Sequence, residues 1–385
     1  MMPDLSLSFD IRQLDVFLFR APAVPPVQTS FGIMKHRPAL LVRVTNADGG
    51  YGWGEIWCNF PIVGDEHRAR MARFYLPGLV CGRRWDSPAS CFSELSRQLA
   101  VLALQSGEPG PIQQIVAGLD IALWDLIARR NGRPLWQIFQ SAASSALPPR
   151  IQVYASGLNP TNPEALAATK LAQGYRAFKL KVGFGTERDE ANLRAVREVI
   201  GPDLPFMVDA NQAWDVESAI AAGRRMAAHK LSWLEEPIRA DSSLADWTRL
   251  ATEQPLPLAG GENLAGHDAF SAAIDTPGLR VLQPDIGKWG GFTGCLSVGR
   301  QTIENGKLFC PHWLGAGVGL TASFHLKAAV GGSGYVEVDA NPNPLRDGLA
   351  IPHFELKDGA VLLSERPGLG VEPDLQACRD FLVDL

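Results

Sequence analysis

A chain of 385 residues, 46% of them hydrophobic, suits one large barrel or two to three ordinary domains, and its formal charge of -5 lacks the basic face that nucleic acid requires. Its six cysteines (Cys58, Cys81, Cys91, Cys295, Cys310, Cys378) form no CxxC pair and read as buried thiols of a reducing compartment. The start MMPDLSLSF has no secretory pattern, and no stretch approaches the roughly eighteen apolar residues of a membrane span, so a cytoplasmic protein without a membrane partner is expected.

In chain order, residues 1–145 read as an α+β capping domain. ALLVRVT (39–45) and YGWGEIW (51–57) flank the turn-forming NADGG (46–50) as a β-hairpin. Residues 110–131 then carry Ile115, Leu119, Ala122, Leu123 and Leu126 in a helical pattern.

From about residue 150 a rhythm sets in. Apolar runs recur at 151–155, 177–182, 205–209, 231–235, 256–260, 279–283, 307–310 and 335–338. Their spacing of roughly 23 to 28 residues is the length of one βα unit. Between them lie helical patterns. Asn162–Pro163 opens one and Gly174 is placed to end it; Leu193, Val196 and Ile200 share a face of the next. Leu244, Trp247 and Leu250, then Phe270, Ala273 and Ile274, repeat the pattern. Alternating strands and helices imply a parallel sheet, and eight units favour closure into a modified TIM (β/α) barrel over residues 146–345. No GxGxxG follows the first strand to suggest a dinucleotide fold. Residues 346–385 read as a C-terminal segment returning to the cap.

Barrel chemistry gathers where the strands end. The second run brings Lys179 and Lys181 to one strand face. The third ends in Asp209 with Asn211, the fourth in Glu235–Glu236, the fifth in Glu262, the sixth in Asp285, the seventh in His312, and the eighth contains Glu337. A single carboxylate at a strand end is usually a solvated cap, but three on successive ends repel unless a cation neutralises them. All-oxygen ligands select a hard ion, Mg2+ as a rule, although Mn2+ would also fit. A metal on a substrate carboxylate stabilises the enediolate left when the α-proton is removed. Lys181 is a suitable base if its pKa is lowered, which the cationic neighbour Lys179 would do.

FKLKVG (178–183), VDAN (208–211), LEEP (234–237), GGEN (260–263), PDIGKWGG (284–291) and PH (311–312) together resemble the enolase superfamily, mandelate racemase-like subgroup. GLDIALWDLIARRNGRPLWQIF (118–139) resembles that family's cap-domain helix and following turn. The resemblance implies Asp209, Glu235 and Glu262 as metal ligands and Lys181 as base on one face of the substrate. It places Lys179 near the substrate carboxylate, His312 oriented by Asp285 as acid/base on the opposite face, and Glu337 as an electrophile toward the enediolate. Asn211 joins Lys179 and Glu337 as a candidate substrate contact. In the related muconate-lactonising subgroup the sixth strand end resembles a second lysine, whereas here it is Asp285 with Lys288 three residues on.

The implied reaction is dehydration of an aldonic or aldaric acid to a 2-keto-3-deoxy product. Racemisation or epimerisation of a 2-hydroxy acid is the alternative, and a non-catalytic metabolite-binding barrel a remote one. The expected partners are the small-molecule carboxylate and further copies of the chain. Cap loops at 20–37 and 51–68 are expected to close over the mouth, with Lys35, His36 and Arg37 as candidates to meet a distal carboxylate or hydroxyl. Glu236 alternates away from Glu235 and is left outside the site. Trp289 and Trp313 suit either the pocket wall or ordinary packing.

Overall fold

The cap is built on a long antiparallel hairpin. β1 (Gln13–Thr29) pairs with β2 (Gly32–Thr45), and β3 (Tyr51–Ile56) joins β2 across the NADGG turn. The structure, a computed structural model, describes residues 6–140 and 148–385. Pro22, Pro25 and Pro26 fall in the edge strand β1, where the register shifts between Pro22 and Val27 and a missing donor is tolerated. The stretch 20–37, expected as a loop, is therefore mostly strand and turns only at Ser30–Phe31.

Three helices follow: α1 (Gly64–Val80), α2 (Pro88–Ser106) and α3 (Pro109–Arg130). β3 can meet α3 backbone to backbone because of its glycines; a Cβ on Gly54 would stand 2.0 Å from the Gly118 carbonyl oxygen. Contrary to the sequence expectation, α3 is long and apolar enough to span a membrane. Its most apolar window is 89% buried inside the protein, because both the cap strands and the barrel pack on it, and it is a core helix.

Eight parallel strands then appear where the apolar runs lie: β4 (Arg150–Leu158), β5 (Phe178–Lys181), β6 (Phe206–Asp209), β7 (Leu234–Glu235), β8 (Leu258–Gly260), β9 (Leu279–Leu282), β10 (Leu308–Phe309) and β11 (Val336–Asp339). Neighbours pair in sequence order from β4 to β10, and β11 closes back onto β4 with Val336 opposite Val153. No ladder joins β10 to β11; the Glu337 amide donates to the Pro311 carbonyl across that gap at 3.3 Å. The intervening helices are α4 (Pro163–Ala172), α5 (Thr186–Ile200), α6 (Val216–Met226), α7 (Leu244–Glu253), α8 (His267–Asp275), α9 (Gly291–Glu304) and α10 (Gly317–Val330). Asn162 precedes α4 as expected, but it is left-handed at φ 52° and its side chain caps nothing.

The C-terminal stretch forms a small antiparallel pair, Leu356–Lys357 with Ala360–Leu362, on the start of β4. It ends against the cap, where the Val383 amide donates to the Leu18 carbonyl at 2.8 Å. The boundary expected between residues 145 and 146 lies outside the described residues.

Candidate active site

Strand register brings the expected carboxylates together. Lys181 lies opposite Asp209, Asp209 opposite Glu235, and Glu235 opposite Ala259 three residues before Glu262. Gly261 makes the turn to Glu262 at φ 128°, where a Cβ would meet the Gln283 amide nitrogen at 3.0 Å. Across the barrel an isolated parallel bridge aligns Asp285 with His312.

Each carboxylate is held. Asp209 takes Lys181 Nζ at 2.5 Å and the Asn211 amide at 2.8 Å. Glu235 is bound by Lys179, by Trp233 Nε1 at 3.1 Å and by Gln283 Nε2 at 2.6 Å. Glu262 faces His312 Nε2 at 2.9 Å and Lys288 Nζ at 3.2 Å. Asp285 Oδ2 lies 2.6 Å from His312 Nδ1, leaving Nε2 pointed at the carboxylate cluster. Lys181 and His312 thus approach that cluster from strands on opposite sides of the ring.

Several expectations change here. Lys179 is fully buried and its ammonium is occupied by Glu235 and by Glu337 at 3.0 Å, so it stands below the mouth and not on its surface. Glu337 accepts from Ser156, and Lys179, His312 and Lys181 outweigh its burial and hold its carboxyl below the usual range. In this arrangement it is an ion-paired carboxylate. Burial lowers Lys181, as does Lys179, but Asp209 with Glu262 carries the group above its ordinary value. The net depression expected from Lys179 is absent because Asp209, 2.5 Å from the ammonium, outweighs it. Burial disfavours the charged His312 ring, yet Glu262, Glu337 and Asp285 raise it well above the ordinary imidazole value.

Glu236 is buried on the helix side of the strand end, beside Gly260 and Trp247, and takes Asn263 Nδ2 at 2.8 Å and Gln212 Nε2 at 3.1 Å. Lys288, noted only for its position, lies 3.0 Å from Asn263 Oδ1 and 4.8 Å from the centre of the Trp57 ring. Trp313 is 2% exposed and packs, with Nε1 on the Ala316 carbonyl at 2.9 Å; Trp289 packs on Phe270. Arg37 is buried in an ion pair with Asp339 at the end of the eighth barrel strand, while Lys35 and His36 are exposed on β2. What covers the mouth is the hairpin tip, where Ser30 Oγ donates to the Asn211 carbonyl at 2.8 Å, and Phe60 of the following stretch, edge-on to Phe31 at 5.1 Å.

The residues present fit a hard divalent cation. Among the described residues no three metal-binding side chains already stand as a coordination set, because lysines and His312 hold them. Yet five carboxyls (Asp209, Glu235, Glu262, Asp285, Glu337), all buried except Glu262 at the rim, share the volume with three ammonium groups (Lys179, Lys181, Lys288) and one imidazole. Burial drives Glu235 up to about 7 against the pull of Lys179, and Asp209, Glu337 and Glu262 add to the rise. Asn211 Oδ1 is a buried oxygen with no partner. An oxygen-only set with surplus negative charge suits magnesium.

Residues 163–377 match the family model described as enolase C-terminal domain-like, and residues 13–139 match the mandelate racemase/muconate lactonizing enzyme N-terminal domain. A solved mandelate racemase/muconate lactonizing enzyme from Bordetella bronchiseptica RB50 is 49% identical, covers 97% of this chain and 99% of its own, and aligns with a TM-score of 0.89. A racemase from Streptomyces coelicolor A3(2) with bound magnesium is 29% identical over 97% of this chain and 100% of its own, with a TM-score of 0.86. The 3,6-anhydro-alpha-L-galactonate cycloisomerase of Streptomyces coelicolor is 31% identical over 95% of this chain and 98% of its own. Relatives named as dehydratases, cycloisomerases and racemases all occur. The chain belongs to the enolase superfamily, with a cap of the mandelate racemase/muconate-lactonising type over a TIM-like barrel.

Proposed function

We propose that the protein dehydrates an acid sugar, removing the proton α to the carboxylate and expelling the β-hydroxyl to give a 2-keto-3-deoxy acid. The observation that carries this reading is the pairing of Lys181 with an Asp285–His312 dyad across one carboxylate-lined mouth. Magnesium, held by Asp209, Glu235 and Glu262, would stabilise the enediolate charge when bound.

Asp209, which holds the Lys181 ammonium charged, would be drawn to magnesium when it binds, and Lys181 Nζ, freed of that partner, sheds its proton and takes the α-proton as a neutral amine. His312 Nε2–H then gives its proton to the β-oxygen as the carbon–oxygen bond breaks and water leaves. The enol product tautomerises to the 2-keto acid. Asp285 fixes the imidazole tautomer, because its carboxylate accepts the Nδ1–H and leaves Nε2 for the substrate. Lys179 holds Glu235 and Glu337 from below and so keeps the floor of the site in place.

Two other outcomes begin with the same proton removal. If His312 returns a proton to carbon, the centre inverts, and racemases are among the relatives. If the departing oxygen is part of a ring, the result is a cycloisomerase, as 3,6-anhydro-alpha-L-galactonate cycloisomerase is named. Incubation with magnesium and a panel of aldonic, aldaric and 2-hydroxy acids, followed for 2-keto acid, tests the proposal. Keto product supports dehydration; inversion without keto product from every acid overturns it in favour of racemisation.

A further inference from the structure

One extended stretch of the cap, residues 55–59, reaches both segments that carry the Asp285–His312 dyad. Glu55, at the end of β3, is 2% exposed and crosses from the cap into the barrel. Its Oε1 accepts the Ala316 amide at 2.6 Å and its Oε2 the Gly319 amide at 2.8 Å, at the first turn of α10. Those amides have no carbonyl partners within the helix, and a carboxylate there also meets the positive end of the helix dipole. The fit is close: a Cβ on Gly315 would lie 2.8 Å from Glu55 Oε1.

The same stretch makes further contacts alongside. Asn59 Nδ2 donates to the Leu314 carbonyl, two residues after His312. The Trp57 amide donates to the Gly287 carbonyl at 3.4 Å, in the turn whose amides hold Asp285. There Asp285 Oδ1 accepts Gly287 N at 2.8 Å and Lys288 N at 3.0 Å. Residues 285–288 and 312–319 are thus both fastened to the cap by alternate residues of one strand end. The ammonium of Lys181 is held by Asp209 within the barrel, and the cap reaches that half only through Ser30 Oγ on the Asn211 carbonyl, among the described residues.

We infer that Glu55 is a positioning residue for His312, and that the cap sets the acid half of the site through it. The inference rests on the reading of His312 as the acid, and it names a cap residue that governs that half alone. Glu55 does not touch the substrate. It fixes the segment after His312, and with it the direction of the imidazole toward the β-oxygen. A displaced general acid leaves proton abstraction intact and slows leaving-group departure.

The test compares Glu55→Gln and Glu55→Asp with the wild type, in D2O with magnesium and a turned-over acid sugar. Glutamine keeps the shape but sets an N–H against one of the two amides, whereas aspartate keeps both acceptors on a shorter stem. In Glu55→Gln, kcat for keto product should fall about 10- to 100-fold, as for other groups that orient a catalytic side chain. Deuterium exchange at the α-carbon of recovered substrate should fall far less, so the ratio of exchange to product rises. Glu55→Asp should recover part of the loss.

A second measurement needs no turnover. The downfield Nδ1–H proton of His312, assigned by its absence in His312→Asn, should shift or broaden in Glu55→Gln. If Glu55→Gln does not fold, Asn59→Ala is read by the same two measurements. An unchanged ratio together with an unmoved His312 proton overturns the inference. If wild type exchanges no α-proton from any acid, the functional reading fails instead, and the His312 proton alone decides the role of Glu55.

Discussion

Asp285 Oδ2 lies 2.6 Å from His312 Nδ1, while its other oxygen takes the amides of Gly287 and Lys288 at 2.8 and 3.0 Å. The carboxylate is therefore fixed by its own turn before it orients the ring. Asp285→Asn should keep the fold and present the wrong partner to Nδ1, lowering kcat by about 100-fold or more. Steady-state kinetics with circular dichroism as a control decides it; a kcat within about twofold of wild type would remove Asp285 from the mechanism.

Arg37 and Asp339 form a buried ion pair that joins the cap hairpin to the end of the eighth barrel strand. Arg37→Met leaves the Asp339 carboxylate, among the described residues, with Asn341 alone as hydrogen-bond partner, through its amide and side-chain nitrogen. The expected loss is about 3 to 5 kcal/mol of unfolding free energy, the cost of an uncompensated buried charge. Urea denaturation measures it, and adding Asp339→Leu should restore part of the loss.

His325 is a buried ring whose Nδ1 accepts the Trp136 amide at 3.1 Å, while Nε2 donates to the Leu369 carbonyl at the same distance. Burial pushes its pKa down to about 4, so the folded state favours the neutral ring. The stabilisation is fully present above the ordinary value near 6.5 and is lost as pH falls from there toward 4. It amounts to about 3 kcal/mol over that window. Glutamine offers the same acceptor and donor without a titration, so the stability of His325→Gln relative to wild type should rise by that amount between pH 6.5 and 4. A constant difference across the range would show that His325 does not titrate on unfolding.

Magnesium should raise the thermal midpoint, since an ion that binds only the folded chain stabilises it by about 2.7 kcal/mol at one hundred times its dissociation constant. Chelation should reverse the shift. Glu262→Gln should remove it by deleting one of the three oxygen ligands proposed on neighbouring strand ends. An equal magnesium shift in wild type and Glu262→Gln would place the ion elsewhere.

The barrel and its strand-end carboxylates were legible because both follow from periodicity: buried strands recur at the βα spacing, and their ends share a mouth. What escaped lay where local geometry departs from the regular period. The stretch 20–37 read as a loop because its prolines obscure a strand that tolerates them at an edge. Glu55 had one visible sign, a carboxylate inside the apolar run YGWGEIW, but its partners lie some 260 residues away. The charge balance at Lys181 was beyond sequence altogether, since it depends on Asp209 standing 2.5 Å from the ammonium.

The most direct test of the central claim is α-proton exchange in D2O, followed by NMR, for wild type and Lys181→Met with magnesium and the acid sugar that gives keto product. Wild type should incorporate α-deuterium or form keto product, and Lys181→Met should do neither above about one hundredth of that rate. Full exchange and turnover by Lys181→Met would contradict the account.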